Sequence, residues 1–310
     1  MKFYETFPAG MKAAVALGNF DGVHRGHRKI ISALKSKALE HGAQSCAVTF
    51  YPHPQKIVRD RSVRLLMPFG ERLRLLEETG VDMAVKLEFS KELSLLSPER
   101  FIKEVMVDGA GMKAIVVGPR FGFGNKRRGD VEMLKTLGER FGFETVVIEP
   151  AMEGGGRVSS TAIREFVLGG RMEEASRMLG YRYYIRGVVA QGEKRGREIG
   201  FPTVNLQTDW EMLPKPGVYA TLTAVEGAES RPSISNVGSR PTFGGGATVI
   251  ESHLLDTGGD FYGRQAVVEF VERVRDEKKF ASGDDLSRQI EKDIGRVRVI
   301  LKNCGGGGGL

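Results

Sequence analysis

The sequence predicts two unlike halves: an α/β domain built on a doubly wound parallel sheet, then a small antiparallel β-barrel closed by a helix. Three observations carry this. Over the first 150 residues, short β-branched runs alternate with amphipathic helical stretches, as in parallel sheets covered on both faces. Beyond residue 183, strand-like runs succeed one another through Gly/Pro-rich turns with no helix between them. Only near the end do Leu286, Ile290, Ile294, Val297 and Leu301 recur at helical spacing.

In order, residues 13–17 form an apolar run ending at Gly18. Ile30, Ile31, Leu34 and Ala38 then mark one face of a helix that stops at Gly42. Residues 46–50, 83–87, 115–117 and 145–148 read as further strands. Residues 72–78 and 131–140 read as helices, and Ser97-Pro98-Glu99 starts another with Pro at its first position. Two short helices over 159–179 finish at Gly180, where the domain boundary is expected: 1–180 for the first domain and 181–304 for the second. Strands are then expected at 185–190, 217–224, 233–237, 248–255 and 266–274, with the closing helix at 284–301. The run 305–310 reads as a flexible Gly tail.

Apolar residues make up 41% and charged residues 27% of 310, a globular composition. No apolar run approaches the roughly 18–20 residues of a membrane span, so no membrane partner is expected. The start of the chain lacks the features of a secretory signal, and a cytoplasmic protein is expected. Cys46 and Cys304 alone make neither a disulfide framework nor a zinc site. The net charge of +7 suits an anionic ligand, nucleotide or nucleic acid alike. Glycine, at 41 residues, is about twice its usual 7%. It clusters beside charged residues, which points to loops where the backbone meets a ligand.

One such loop is Gly18-Asn19-Phe20-Asp21-Gly22-Val23-His24-Arg25-Gly26-His27, which follows the first strand and opens the first helix. Ligands of open α/β sheets bind at such turns, and a helix N-terminus attracts phosphate. His24 and His27, three apart, share a helix face and can donate to phosphate oxygens as charge develops there. The alternatives are ordinary capping histidines and a metal pair, and the latter lacks a third ligand nearby. Gly18, Phe20, Asp21 and Gly22 complete this candidate nucleotide site. Farther on, Ser160 or Thr161 can cap a helix while Arg164 adds a fixed cation for a triphosphate; an ordinary capped helix is the competing reading.

The second cluster is Gly192-Glu193-Lys194-Arg195-Gly196-Arg197-Glu198-Ile199-Gly200, running into Phe201-Pro202-Thr203-Val204-Asn205. No G-x-x-x-x-G-K-[ST] is present, so a Walker-type kinase is excluded at the motif level. Backbone amides around Gly192, Gly196 and Gly200, with Lys194 and Arg197, can instead cradle phosphates. Thr203 and Asn205 project to one face of an extended segment and offer hard oxygen ligands suited to Mg²⁺. A basic surface hairpin is the plain alternative. Glu251 is an acidic residue within a β-branched run, open to a salt bridge or to base chemistry.

The string GNFDGVHRGH resembles the H-x-G-H signature of the nucleotidylyltransferase superfamily, in the version of the prokaryotic bifunctional riboflavin kinase/FMN adenylyltransferases. Thr49-Phe50-Tyr51-Pro52-His53-Pro54 resembles their second motif, and Ser159-Ser160-Thr161-Ala162-Ile163-Arg164 their S-S-T-x-I-R motif, which binds ATP phosphates in the superfamily. GREIGFPTVNL resembles the flavokinase P-T-A-N motif with Val204 for Ala. Asn236-Val237-Gly238-Ser239-Arg240-Pro241-Thr242-Phe243 and Phe261-Tyr262-Gly263 match further blocks, and Glu251 aligns with the family's catalytic carboxylate. The resemblance runs from about 13 to 302. It implies a Rossmann-like nucleotidylyltransferase domain followed by a riboflavin kinase-like barrel. It also implies ATP as substrate of both, Mg²⁺ as cofactor, and riboflavin, FMN and FAD as the other ligands.

One position departs from the pattern. Where the family carries Asp or Asn just before a Phe, this chain has Arg120, in Gly118-Pro119-Arg120-Phe121. Two rival functions stand beside the bifunctional one. A monofunctional adenylyltransferase with a degenerate kinase domain is disfavoured by intact Thr203, Asn205 and Glu251. A flavin- or RNA-binding regulator would use the basic clusters at 126–128 and 194–197. These lack the interleaved aromatics of single-strand binders, so no nucleic-acid partner is expected.

Overall fold

The computed structural model describes residues 1–58, 63–191, 201–239, 248–257 and 259–304. By contacts the chain divides into two units. One comprises Met1–Arg64 with Phe69–Ser159, the other Leu65–Pro68 with Ser160–Leu310.

The first unit is a six-stranded sheet in the order β1-β4-β3-β2-β5-β6. Its strands are β1 (Lys2–Tyr4), β2 (Ala13–Gly18), β3 (Gln44–Tyr51), β4 (Met83–Glu88), β5 (Met112–Val117) and β6 (Glu144–Val147). Every pairing is parallel. The strands read as unbroken apolar runs because helices cover both faces. In β2, Ala13, Ala14, Val15 and Ala16 are wholly buried. Cys46 lies in this core, where burial pushes its thiol up to about 12 and leaves it inert at neutral pH. Helix α1 (Arg25–Glu40) turns Ile31, Leu34 and Ala38 inward, as its spacing requires.

Short helices α2 (Pro54–Val58), α3 (Phe69–Glu78) and α4 (Lys91–Leu95) follow. Helix α5 (Pro98–Arg100) begins with Ser97 accepting from the Arg100 N–H, as the Ser-Pro-Glu string predicts. It runs into a π-helix, Phe101–Gly109, a widening that periodicity does not announce. Helix α6 (Val131–Phe141) completes the cover, and strands β7 (Met152–Glu153) and β8 (Gly156–Arg157) form a separate hairpin.

The second unit opens with helices α7 (Ser160–Gly169) and α8 (Met172–Leu179), the latter ending at Gly180 in the left-handed region, φ 86°. A closed antiparallel barrel follows in the order β10-β13-β12-β11-β14-β9. Its strands are β9 (Tyr184–Ala190), β10 (Val204–Gln207), β11 (Gly217–Val225), β12 (Arg231–Ser239), β13 (Thr248–Leu254) and β14 (Gln265–Arg275). Helix α9 (Gly283–Cys304) closes it, burying Val297 against Val218, Ala220 and Ile234 on the outer wall. The opposite parity faces inward. There Thr221, Thr223, Ser233, Ser235 and Ser252 are fully or almost fully buried. They bond to one another: Thr221 to Ser235 at 2.7 Å, Thr223 to Ser252 at 2.8 Å and Ser235 to Ser252 at 2.9 Å. A satisfied network of this kind fixes strand register, because a one-residue slip would turn every hydroxyl outward. The Gly tail at 305–310 and the loop with Gly192, Lys194, Gly196, Arg197 and Gly200 lie outside the described residues.

Candidate active sites

In the first unit the sheet order reverses at β2, whose neighbours are β3 and β5. The crevice beyond the carboxyl ends of β2 and β5 is therefore the expected ligand position. The loop from Gly18 to His24 lies there, with three residues in the left-handed region: Phe20 (φ 49°), Gly22 (φ 86°) and Val23 (φ 34°). For a Phe and a β-branched Val this is strained backbone, and both side chains are buried. Asp21 is also buried.

His24 caps α1: its Nδ1 accepts the His27 backbone N–H at 3.2 Å. With Nδ1 an acceptor, the neutral ring carries its proton on Nε2, leaving that atom as a donor. The two imidazoles stack at 3.6 Å between centroids and 13° between planes, and Phe20 meets His27 edge-on at 5.2 Å. Gly26 between them packs closely on this stack: a Cβ there would lie 3.2 Å from His24 Cε1 and Nδ1 and press on the ring.

His27 is half-buried, and its Nδ1 is enclosed without a hydrogen-bond partner among the described residues. Burial first, then His24, then the Arg72 cation, hold its pKa well below the usual 6.5. Below pH 6.5 the unfolded chain therefore binds a proton here that the folded chain refuses. Stability rises with pH across that window and is lost on acidification toward the folded value, by up to about 1.4 kcal/mol per pH unit. Urea unfolding between pH 7 and 5 should show this slope, and His27→Asn should flatten it. Equal slopes would assign the dependence to other groups.

Ser160, Thr161 and Arg164 lie together in the first turn and a half of α7, in the second unit. Thr161 is exposed, and Ser160 and Arg164 are half-buried.

In the barrel, alternation turns Asn205, Glu251 and Asn236 to the outer wall. They form one row: Asn205 and Asn236 are the ladder partners of Glu251 on either side. Asn205 is buried and Glu251 half-buried. Thr203 shares the parity of Asn205, just before β10. The row thus offers a hydroxyl, two amides and a carboxylate, and its hard oxygens fit Mg²⁺. His253, two residues beyond Glu251 on the same face, bonds through Nδ1 to Pro202 O at 2.8 Å and meets Phe201 edge-on at 5.5 Å. This ties the Phe201–Pro202–Thr203 segment to β13.

Residues 8–162 match the FAD synthetase family and residues 179–301 the riboflavin kinase family. The bifunctional riboflavin kinase/FMN adenylyltransferase of Escherichia coli K12 is 36% identical over 280 residues, 90% of each chain. This chain belongs to the bifunctional riboflavin kinase/FMN adenylyltransferase family. A relative of that name from Pseudomonas fluorescens is 35% identical over 94% of each chain. A crystal structure described as a macrolide-efflux protein from Streptococcus pneumoniae superposes with a TM-score of 0.87 at 29% identity, over 96% of this chain and 98% of that one. Among the described residues here, no helix is long and apolar enough to cross a membrane.

Within this family frame, two residues escape a reading of motifs. One is His253. The other is Arg72, almost completely buried, whose Nη1 donates to Thr49 Oγ1 at 3.2 Å while Thr49 Oγ1 donates to Asn19 O at 3.3 Å. Thr49 is the ladder partner of Gly18, so this chain of bonds ties a buried cation to the base of the histidine loop. A signal was present: Arg72 stands with Leu75 and Leu76 at helical spacing on the inward face of α3.

Proposed function

We propose that this chain phosphorylates riboflavin to FMN and then adenylylates FMN to FAD, with ATP as substrate of both steps. The observation that carries the reading is that each half matches its own family. The histidine stack sits at the switch point of the sheet, and Asn205–Glu251–Asn236 form one row on the barrel.

In the kinase step Glu251 accepts the proton of the riboflavin 5′-hydroxyl as its oxygen attacks the γ-phosphorus, and ADP leaves. Thr203 and Asn205 would hold Mg²⁺, which would supply charge neutralisation for the transferred phosphoryl group. The Gly192–Gly200 loop would cover the phosphates. In the second step an FMN phosphate oxygen attacks the ATP α-phosphorus, and pyrophosphate leaves. The nucleophile is already anionic, so no side-chain base is needed. Catalysis is positioning and charge stabilisation by His24, His27, Ser160, Thr161 and Arg164, with Gly18, Phe20, Asp21 and Gly22 shaping the loop. In this reading adenylylation belongs to 1–180 and phosphorylation to 181–304, in the cytoplasm. Incubation with riboflavin, ATP and Mg²⁺ followed by chromatography should yield FMN and FAD. FAD from supplied FMN alone would mark a degenerate kinase, and unchanged riboflavin and FMN a regulator.

Arg120 is exposed just beyond β5, at the same switch point. Asn125, the other candidate for that amide role, donates from Nδ2 to Ser94 O at 3.1 Å and from its N–H to Leu96 O at 2.8 Å. The forked cation is shaped for a phosphate of FMN or ATP. Arg120→Ala should weaken binding of one of them at least tenfold, in line with roughly 1.5–3 kcal/mol for a charged hydrogen bond, and less at high salt. Wild-type affinity for both ligands by titration would leave Arg120 a solvent-facing residue.

A further inference from the structure

Helix α7, which begins with Ser160, Thr161 and Arg164, is locked at its other end to the kinase barrel. The helix stops at Gly169, and Gly170 is buried with φ +73°. A Cβ at Gly170 would overlap Arg273 Cδ and lie 3.0 Å from its Nε and 3.2 Å from Tyr219 Oη. Both the backbone and the space there admit only glycine.

Arg273 belongs to β14 and is the ladder partner of Tyr219 on β11. Its Nη2 donates to Pro216 O at 2.6 Å and to Asp276 Oδ1 at 2.7 Å, and its guanidinium lies 5.9 Å from the centre of the Tyr219 ring. Gly217, φ +152°, makes room on the other side, where a Cβ would come within 2.6 Å of Nη2. The approach of Gly170 leaves Arg273 Nε enclosed with no hydrogen-bond partner among the described residues, a cost to the fold. Tyr219 Oη donates to Lys215 O, and desolvation, which raises its pKa to about 12, keeps it a neutral donor. Lys215 N–H in turn donates at 3.2 Å to Val167 O, a carbonyl of the last turn of α7.

We propose that Arg273, a residue of the kinase barrel, is a positioning residue for adenylyl transfer. The cluster of Arg273, Tyr219, Lys215 and Gly170 sets the axis of α7. Val167 lies one turn beyond Arg164, on the same helix face. Over ten residues, about 15 Å of helix, a small tilt at Gly170 displaces Ser160 and Thr161 by a comparable arc. Near-attack geometry is sensitive to such shifts: a misplacement of about 1 Å can cost a factor of 10². This inference rests on the reading that the first turn of α7 holds nucleotide during adenylylation. It adds that the kinase half supplies the support.

The test uses the full chain and measures conversion of supplied FMN to FAD and phosphorylation of riboflavin on the same preparation. Arg273→Met should lower adenylyl transfer roughly 10- to 100-fold. The loss should fall on kcat and on the KM for ATP, with the KM for FMN and the kinase rate within twofold of wild type. Arg273→Lys, which keeps the positive charge, should recover part of the loss. Tyr219→Phe, which keeps the ring and removes the hydroxyl with its bond to Lys215, should show the same split in smaller measure, and it covers the case in which Arg273→Met does not fold. Arg164→Ala is the control for the underlying reading. If it leaves adenylylation intact, the role given to α7 fails. If it abolishes adenylylation while Arg273→Met and Tyr219→Phe do not touch it, the present inference alone is overturned. Equal loss of both activities in the Arg273 and Tyr219 variants would also overturn it, as simple destabilisation.

Discussion

Glu251→Gln should lower riboflavin phosphorylation by roughly 10²–10⁴ while conversion of supplied FMN to FAD stays at the wild-type rate. The register explains both halves of that expectation. Glu251 lies between Asn205 and Asn236 on the outer wall, so an amide of the same size can occupy the row without changing the ladder. Its neighbour Ser252 points the other way, into the hydroxyl network that pins β11, β12 and β13. The barrel therefore keeps its register, and what disappears is the capacity to accept the hydroxyl proton. Steady-state assays of both steps, with calorimetry to establish folding, are the measurement. An unchanged kinase rate would make Glu251 a polar spacer on the barrel wall.

How much of this was legible before folding differs from element to element. The strand, loop and helix around residues 13–42 were legible because a local pattern determines them: an unbroken apolar run, a glycine-rich turn, then a 3.6-residue repeat. The barrel strands were legible for the same reason, and β10 was half-seen, as an extended segment around Thr203 and Asn205. By contrast β1, three residues at the edge of a sheet, has no period to detect. The π-helix after Arg100 buries Phe101, Ile102 and Met106, a pattern that does not announce its wider turn. Charge misleads where burial is tertiary. Arg72 and Arg273 both look like solvated cations in a charged chain, yet one is enclosed beneath the histidine loop and the other between two glycines. The motifs point to the candidate chemical residues. They did not name the groups that hold them in place, because those contacts join segments far apart in the chain.

His27→Ala should reduce adenylylation by roughly 10²–10³ and leave riboflavin phosphorylation unchanged, so that the variant converts riboflavin to FMN and stops there. The substitution is clean for a specific reason. His24 caps α1 by accepting the backbone N–H of residue 27, which alanine retains, so the helix start and the orientation of His24 survive. What is lost is the ring stacked on His24 and edged by Phe20, with its enclosed Nδ1. That ring is held neutral in the free protein by burial, His24 and Arg72. An arriving triphosphate, being anionic, favours the protonated ring, so binding charge and building donor strength are one event. His27→Asn, with a shorter neutral donor, should therefore recover some activity but lose the acid-side pH dependence of the wild-type rate. The readout is a time course of FMN and FAD by chromatography from riboflavin and ATP. FMN accumulating without FAD is the expected trace. Loss of both products from a folded variant would mean that the histidine stack serves phosphorylation too, and that the two chemistries share a site.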